Sequence, residues 1–242
     1  MNRERRQAPW LSVVLCLLGA CGLGLGLGGC AAALFAGGVA QNFEYQKLLR
    51  VQPQYPDLAG QRVAVIVDAN YTLLYEYPDL AANIAGGVAL RIARHVPEAM
   101  VLNPNDVIQW QWATPQWNAM TYGEMAESLH ADRVVLVDIY EFRLNPPGNR
   151  FLWDGVCAAN VGVVERDAFD PDMFSDSYTV VAAFPDIPGV DRTQATAQQI
   201  QTGVLAEFIK RSAWLFYEHL EPKYPDKFQP ELATPEEREL MS

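Results

Sequence analysis

Cysteine is nearly absent from the body of this chain. Of four cysteines among 242 residues, Cys16, Cys21 and Cys30 fall near the N-terminus, and Cys157 alone lies downstream. A disulfide framework within the body is thereby excluded. Cys157 sits in the apolar run Val156-Cys157-Ala158-Ala159, which reads as a small buried hydrophobe. Histidine is equally scarce. His95, His130 and His219 each fall near a predicted helix C-terminus, where an imidazolium suits the helix dipole. None has a second ligand at helical spacing, so neither a metal site nor a catalytic histidine is expected. Basic charge is short too, with 18 Lys+Arg against 29 Asp+Glu for a net −11. That balance argues against nucleic acid, whose phosphates need a clustered Lys/Arg surface.

Recognised catalytic motifs are also missing. There is no GxSxG, HExxH, CxxC or GxxxxGK[ST]. The chain is therefore read as non-enzymatic and without a cofactor. A Gly-Leu stretch at 22–29 imitates a dinucleotide fingerprint, but no strand precedes it, and it is rejected.

What is present begins with the leader. Arg3, Arg5 and Arg6 make a basic start, and after them no charge appears until Glu44. Trp10 to Leu18 is a compact apolar run of the secretory kind. Two cysteines follow small residues, in Leu18-Gly19-Ala20-Cys21 and Leu27-Gly28-Gly29-Cys30. This resembles a lipoprotein signal peptide, in which a small residue before cysteine permits cleavage and the thiol is acylated. Cys21 gives the more usual apolar length, whereas Cys30 strands less apolar chain outside the membrane. The division adopted is a signal peptide over 1–29, a lipid-attached tether over 30–60, an α/β domain over 61–220 and a Pro-rich charged tail over 221–242. An uncleaved anchor is the alternative, since about 20 apolar residues span a bilayer. The glycines of 22–29 weigh against it, because each costs helix stability. Either way the chain is exported.

The body alternates strand and helix. Val63-Ala64-Val65-Ile66-Val67 is a short apolar run, as in a central strand buried on both faces. After Pro78-Asp79, Leu80, Ile84, Val88 and Ile92 recur at helical spacing, and Pro97 closes the helix. A second strand covers 99–102. Thr121 with Glu124 forms a capping box for a second helix, which Val134–Val137 follows as a third strand. Strands over 152–165 and 177–184 and a long helix over 195–220 complete the order β-α-β-α-β-β-β-α. The expected fold is α/β, a mixed sheet of about five strands with helices packed on it and one core. Val63–Val67 and Val134–Val137 should be neighbours at its centre.

That order behind a lipobox resembles a group of bacterial envelope lipoproteins and their relatives: the curli-secretion channel lipoprotein, PelC, LpoB and the amino-terminal domain of TolB. The residues that carry the resemblance are Val63-Ala64-Val65, Leu129-His130-Ala131-Asp132 directly before a buried strand, and the Val163-Val164-Glu165-Arg166-Asp167 turn. It implies a non-enzymatic accessory in envelope assembly or export, facing the periplasm and held to a membrane by an N-terminal lipid. An envelope protein is the expected partner, and a homo-oligomer is left open.

Three further features compete for a role. Asp68 and Asn70 follow the first strand, where open α/β sheets place ligand contacts. They would serve a binding module for a small ligand or envelope polymer, or less readily a hydrolase using Asp68. Asp167, Asp170, Asp172 and Asp176 lack the ordered spacing of a calcium loop and read as a solvated acidic loop. Trp110, Trp112 and Trp117 lie in a stretch rich in Asn, Gln and Pro, a poor core composition. They suggest a membrane- or partner-facing surface, with at least two of the three exposed.

Overall fold

The structure is a computed structural model that describes residues 44–241. The leader, with Cys16, Cys21 and Cys30, lies outside them. The strands are β1 (Leu48–Val51), β2 (Arg62–Ala69), β3 (Met100–Val101), β4 (Arg133–Arg143), β5 (Gly155–Glu165), β6 (Asp176–Phe184) and β7 (His219–Pro222). The helices are α1 (Tyr71–Glu76), α2 (Leu80–His95), α3 (Pro104–Ala113), α4 (Tyr122–Ser128), α5 (Ala197–Ala213) and α6 (Pro235–Met241). They fall into two compact units, residues 51–219 and the paired segments 44–50 with 220–241.

In the larger unit five strands form one mixed sheet in the order β3-β2-β4-β5-β6. β2 runs parallel to β3 and β4, while β4–β5 and β5–β6 are antiparallel. The two apolar runs are neighbours at the centre of the sheet, as their two-sided hydrophobicity requires. Val63, Val65 and Val67 face a core shared with Leu80, Ile84, Val88 and Ile92 of α2 and Ile200, Val204 and Phe208 of α5. Burying one such side chain contributes about 1.5–3 kcal/mol. Gly87 permits this packing: a Cβ there would stand 2.6 Å from Ile209 Cδ1 on α5. Ala64 and Ile66 point to the other face, into a smaller core with Val107 of α3 and Met125 and Ala126 of α4.

The Leu129-His130-Ala131-Asp132 segment is a joint. The N–H of Ala131 donates to Ala126 O and that of His130 to Glu127 O, closing α4 in a Schellman motif. His130 takes φ +52 there, the left-handed position usually given to glycine. Asp132 then clamps the start of β2, its N–H donating to Arg62 O at 2.7 Å and its Oδ2 accepting from Arg62 N at 3.1 Å. It also pairs with Arg166. Nearby, Arg133 is 6% exposed and bonded to Asp167 Oδ1 at 2.5 Å, while Tyr55 donates to Glu165 at 2.6 Å.

Differences from the sequence expectation have local causes. α3 was not foreseen, although Asn103 caps it and Pro104 stands in its first turn, where a missing N–H costs nothing. α5 stops at Ala213 and not at Leu220, so His219 lies in β7, stacked on Trp214 with ring centroids 4.2 Å apart. It is therefore not at a helix C-terminus.

In the smaller unit β1 and β7 form a two-stranded sheet. Glu44 accepts from Lys223 at 2.6 Å, and Tyr45 meets Tyr224 edge-on at 5.8 Å. The Pro-rich charged tail carries short helical turns. Pro225, Pro230 and Pro235 stand at their starts, so proline opens structure here and does not interrupt it.

His130→Gly should stabilise the protein by about 1 kcal/mol, since glycine adopts the left-handed cap without a Cβ clash. Chemical denaturation checks this. An unchanged or lower midpoint would contradict the cap assignment.

Candidate functional site

The face of the sheet under α3 and α4 changes character along its length. Along β2 it shows Ala64, Ile66 and then Asp68; along β4, Val134, Leu136 and then Asp138. Parallel register sets Asp68 directly opposite Asp138. The row continues through Asn160 on β5 to Thr179 on β6, whose hydroxyl donates to Asn160 Oδ1 at 3.3 Å. Four adjacent strands thus carry a polar row where the apolar packing ends.

A cleft of about 320 Å³ opens over this row. Asp68, Asp138, Asn160 and Ser177 contribute polar groups to its lining. Its apolar walls come from three elements: Trp117 of the turn before α4, Tyr122 and Met125 of α4, and Phe174 of the acidic loop. Phe174 stacks on Tyr122 with ring centroids 4.4 Å apart. Gly162 lets that ring lie against the strand, because a Cβ there would stand 2.4 Å from Phe174 Cε1. The acidic loop is held by its own carboxylates. Asp167 meets Arg133, and Asp172 Oδ1 accepts from Gly123 N at 2.9 Å in the first turn of α4.

Burial pushes the Asp68 carboxyl above its ordinary value, and the neighbouring Asp138 charge adds to the shift against an opposing backbone hydrogen bond. Among the described residues neither carboxylate has an ion-pair partner. No Lys, Arg, His or Cys among the described residues lines the cleft. The arrangement can accept hydrogen bonds and attract positive charge.

The residues singled out in the sequence separate here. Asp68 belongs to the cleft. Asn70 does not line it; its Oδ1 caps α1 by accepting from Leu73 N at 2.9 Å. Of Trp110, Trp112 and Trp117, only Trp112 stands well out, at 82% exposure. Helical period turns Trp110 inward with Val107, where its Nε1 donates to Ser128 Oγ at 2.8 Å. Trp117 packs beside it at 6.3 Å and reaches the cleft. The expected exposure of two of the three is therefore not met. Asp138 carries one signal in the sequence, since Val137-Asp138 repeats the Val67-Asp68 ending of the other central apolar run. Burial in β5 pushes the Cys157 thiol up, in keeping with an inert side chain.

No protein-family model matches the chain, and no curated protein does. Among solved structures, the PelC dodecamer from Paraburkholderia phytofirmans is similar at TM-score 0.42 and 12% identity, over 71% of this chain and 98% of that one. A lipoprotein from Neisseria meningitidis is similar at TM-score 0.40 and 9% identity, over 60% and 93%. A hypothetical protein from Chlamydia trachomatis gives TM-score 0.40 and 13% identity, over 64% and 96%.

Because its proton is held more tightly folded than unfolded, Asp68 lowers stability as pH rises from about 3.9 through its raised value. Asp68→Asn removes that loss. The variant should gain on the wild type between acid and neutral pH, by an amount that partial solvation of the site keeps small. Denaturation midpoints across pH measure it, and a gap that stays constant or reverses would contradict the site's electrostatics.

Proposed function

We propose that this chain is an exported lipoprotein, acylated at Cys30 or at Cys21, that serves as a non-enzymatic accessory in envelope assembly or export. One observation carries the reading: a basic start, an apolar run and two cysteines each preceded by small residues. Among the described residues no helix is long and apolar enough to cross a membrane, and the reading places attachment in the leader. The domain would then face the periplasm, at the end of a tether reaching some tens of ångströms. Within that reach Trp112 would rest in lipid headgroups or against an envelope partner.

A second reading is favoured by the cleft. A concave site with aromatic walls and a few converging polar groups is the usual form of a ligand site. The same lipoprotein would then act by binding a small ligand or a unit of an envelope polymer through Asp68, Asp138 and Asn160.

Mass spectrometry of the mature N-terminus tests the first reading. An acylated cysteine is the expected result; an intact Met1, or a start at an unmodified residue, would overturn it. Trp112→Ser should lower association with envelope membranes while leaving the denaturation midpoint within about 0.5 kcal/mol of wild type, as surface changes do. Unchanged association would remove Trp112 from the contact surface.

A further inference from the structure

The chain pairs most of the carboxylates that it half-buries. On β4 and just before β5, Glu141 and Asp154 flank Arg143 at 2.8 and 2.6 Å. At the end of β5, Glu165 lies 3.8 Å from Arg133, and on α5 Glu207 meets Lys210 at 2.6 Å. Asp68 departs from this habit. It is half-buried, stands in register with a second carboxylate, and has no cation near it among the described residues. Like charges on adjacent strands oppose each other, and desolvation adds to the cost. A positive group in the cleft would cancel the repulsion and offset the desolvation.

The walls say which kind of positive group fits. A bare metal ion needs converging oxygens in a closed shell, and among the described residues no group of three acidic, His or Cys side chains is gathered to hold one. Here two carboxylates share the site with the rings of Trp117, Tyr122 and Phe174. Aromatic faces attract substituted ammonium groups and cover their apolar parts. The volume, about 320 Å³, lies at the small end of ligand pockets and exceeds what an ion requires.

We propose that the cleft is a binding site for an organic cation, a substituted ammonium seated against Trp117 and beside the stacked Tyr122–Phe174 pair, with its charge against Asp68 and Asp138. The inference rests on the ligand-binding reading above and names the chemistry of that ligand. Phe174 comes from the acidic loop, so that loop shapes the site, and Gly162 gives its ring room.

The test is titration of the full chain, purified in detergent, with choline and with 3,3-dimethylbutan-1-ol, its uncharged counterpart of the same shape. Indole and amide NMR shifts report the binding, with the Trp117 indole assigned through Trp117→Phe. Choline should shift the Trp117 and Gly162 signals saturably, and the alcohol should bind at least about tenfold more weakly. Asp138→Asn, an exposed and conservative change, should weaken choline by about tenfold and leave the fold unchanged. Asp68→Asn should do the same. Equal binding of choline and the alcohol would keep a ligand site and overturn the cation. Binding of neither would overturn the inference, as would calcium chloride producing the same shifts while choline produces none.

Discussion

The parallel pairing of β2 with β4 is the constraint on which the larger unit depends. Its register, from Val63 opposite Arg133 to Ala69 opposite Ile139, fixes which side chains share a face. A slip of one residue would turn Val63, Val65 and Val67 away from α2 and α5 and drive Asp68 into that core. Burial on both faces forbids the slip. The start of the pair is closed as well, because Asp132 bonds both the N–H and the carbonyl of Arg62. Parallel strands have no hairpin to set their register, so this joint does what a turn would do elsewhere.

The same register creates the candidate site. Two strands that end their apolar runs with Val-Asp, aligned in parallel, bring Asp68 and Asp138 together at one edge of the smaller core. The larger core continues beneath them through Val67, Ala69, Val137 and Ile139. Above them α4 and the acidic loop supply rings in place of counter-charges. The acidic loop can come so close because two of its carboxylates, Asp167 and Asp172, are engaged by Arg133 and by the first turn of α4. Among the described residues Asp167 and Asp172 are thus engaged beside the cleft, while Asp68 and Asp138 inside it have no ion-pair partner.

Much of this architecture was legible in sequence. The apolar runs at 63–67 and 134–137, the Leu80-to-Ile92 stripe and the Thr121 capping box each report a local preference that the tertiary structure keeps. α3 was harder to see, because Trp and Asn in a polar stretch mask the Asn103-Pro104 start signal. The turns of the smaller unit were hidden by prolines, which break helices inside and begin them at the first position. Of the site, Asp68 was visible from its place at the end of an apolar run, although the strand continues through it to Ala69. Asp138, Asn160, Gly162 and Phe174 were not, since what joins them is cross-strand register and a loop returning over the sheet. No pattern within one segment encodes that meeting. Asn70 shows the converse: a residue two places from the site is occupied in starting a helix.

Asp68 and Asp138 are adjacent carboxylates with no cation between them among the described residues. Carboxyl ¹³C NMR titration of both aspartates, in the wild type and in Asp138→Asn, tests their electrical coupling most directly. Asp68 should titrate above the ordinary carboxylate value, and part of this elevation should disappear when Asp138 is neutralised. An Asp68 that titrates at or below the ordinary value, or that ignores the change at Asp138, would contradict that coupling.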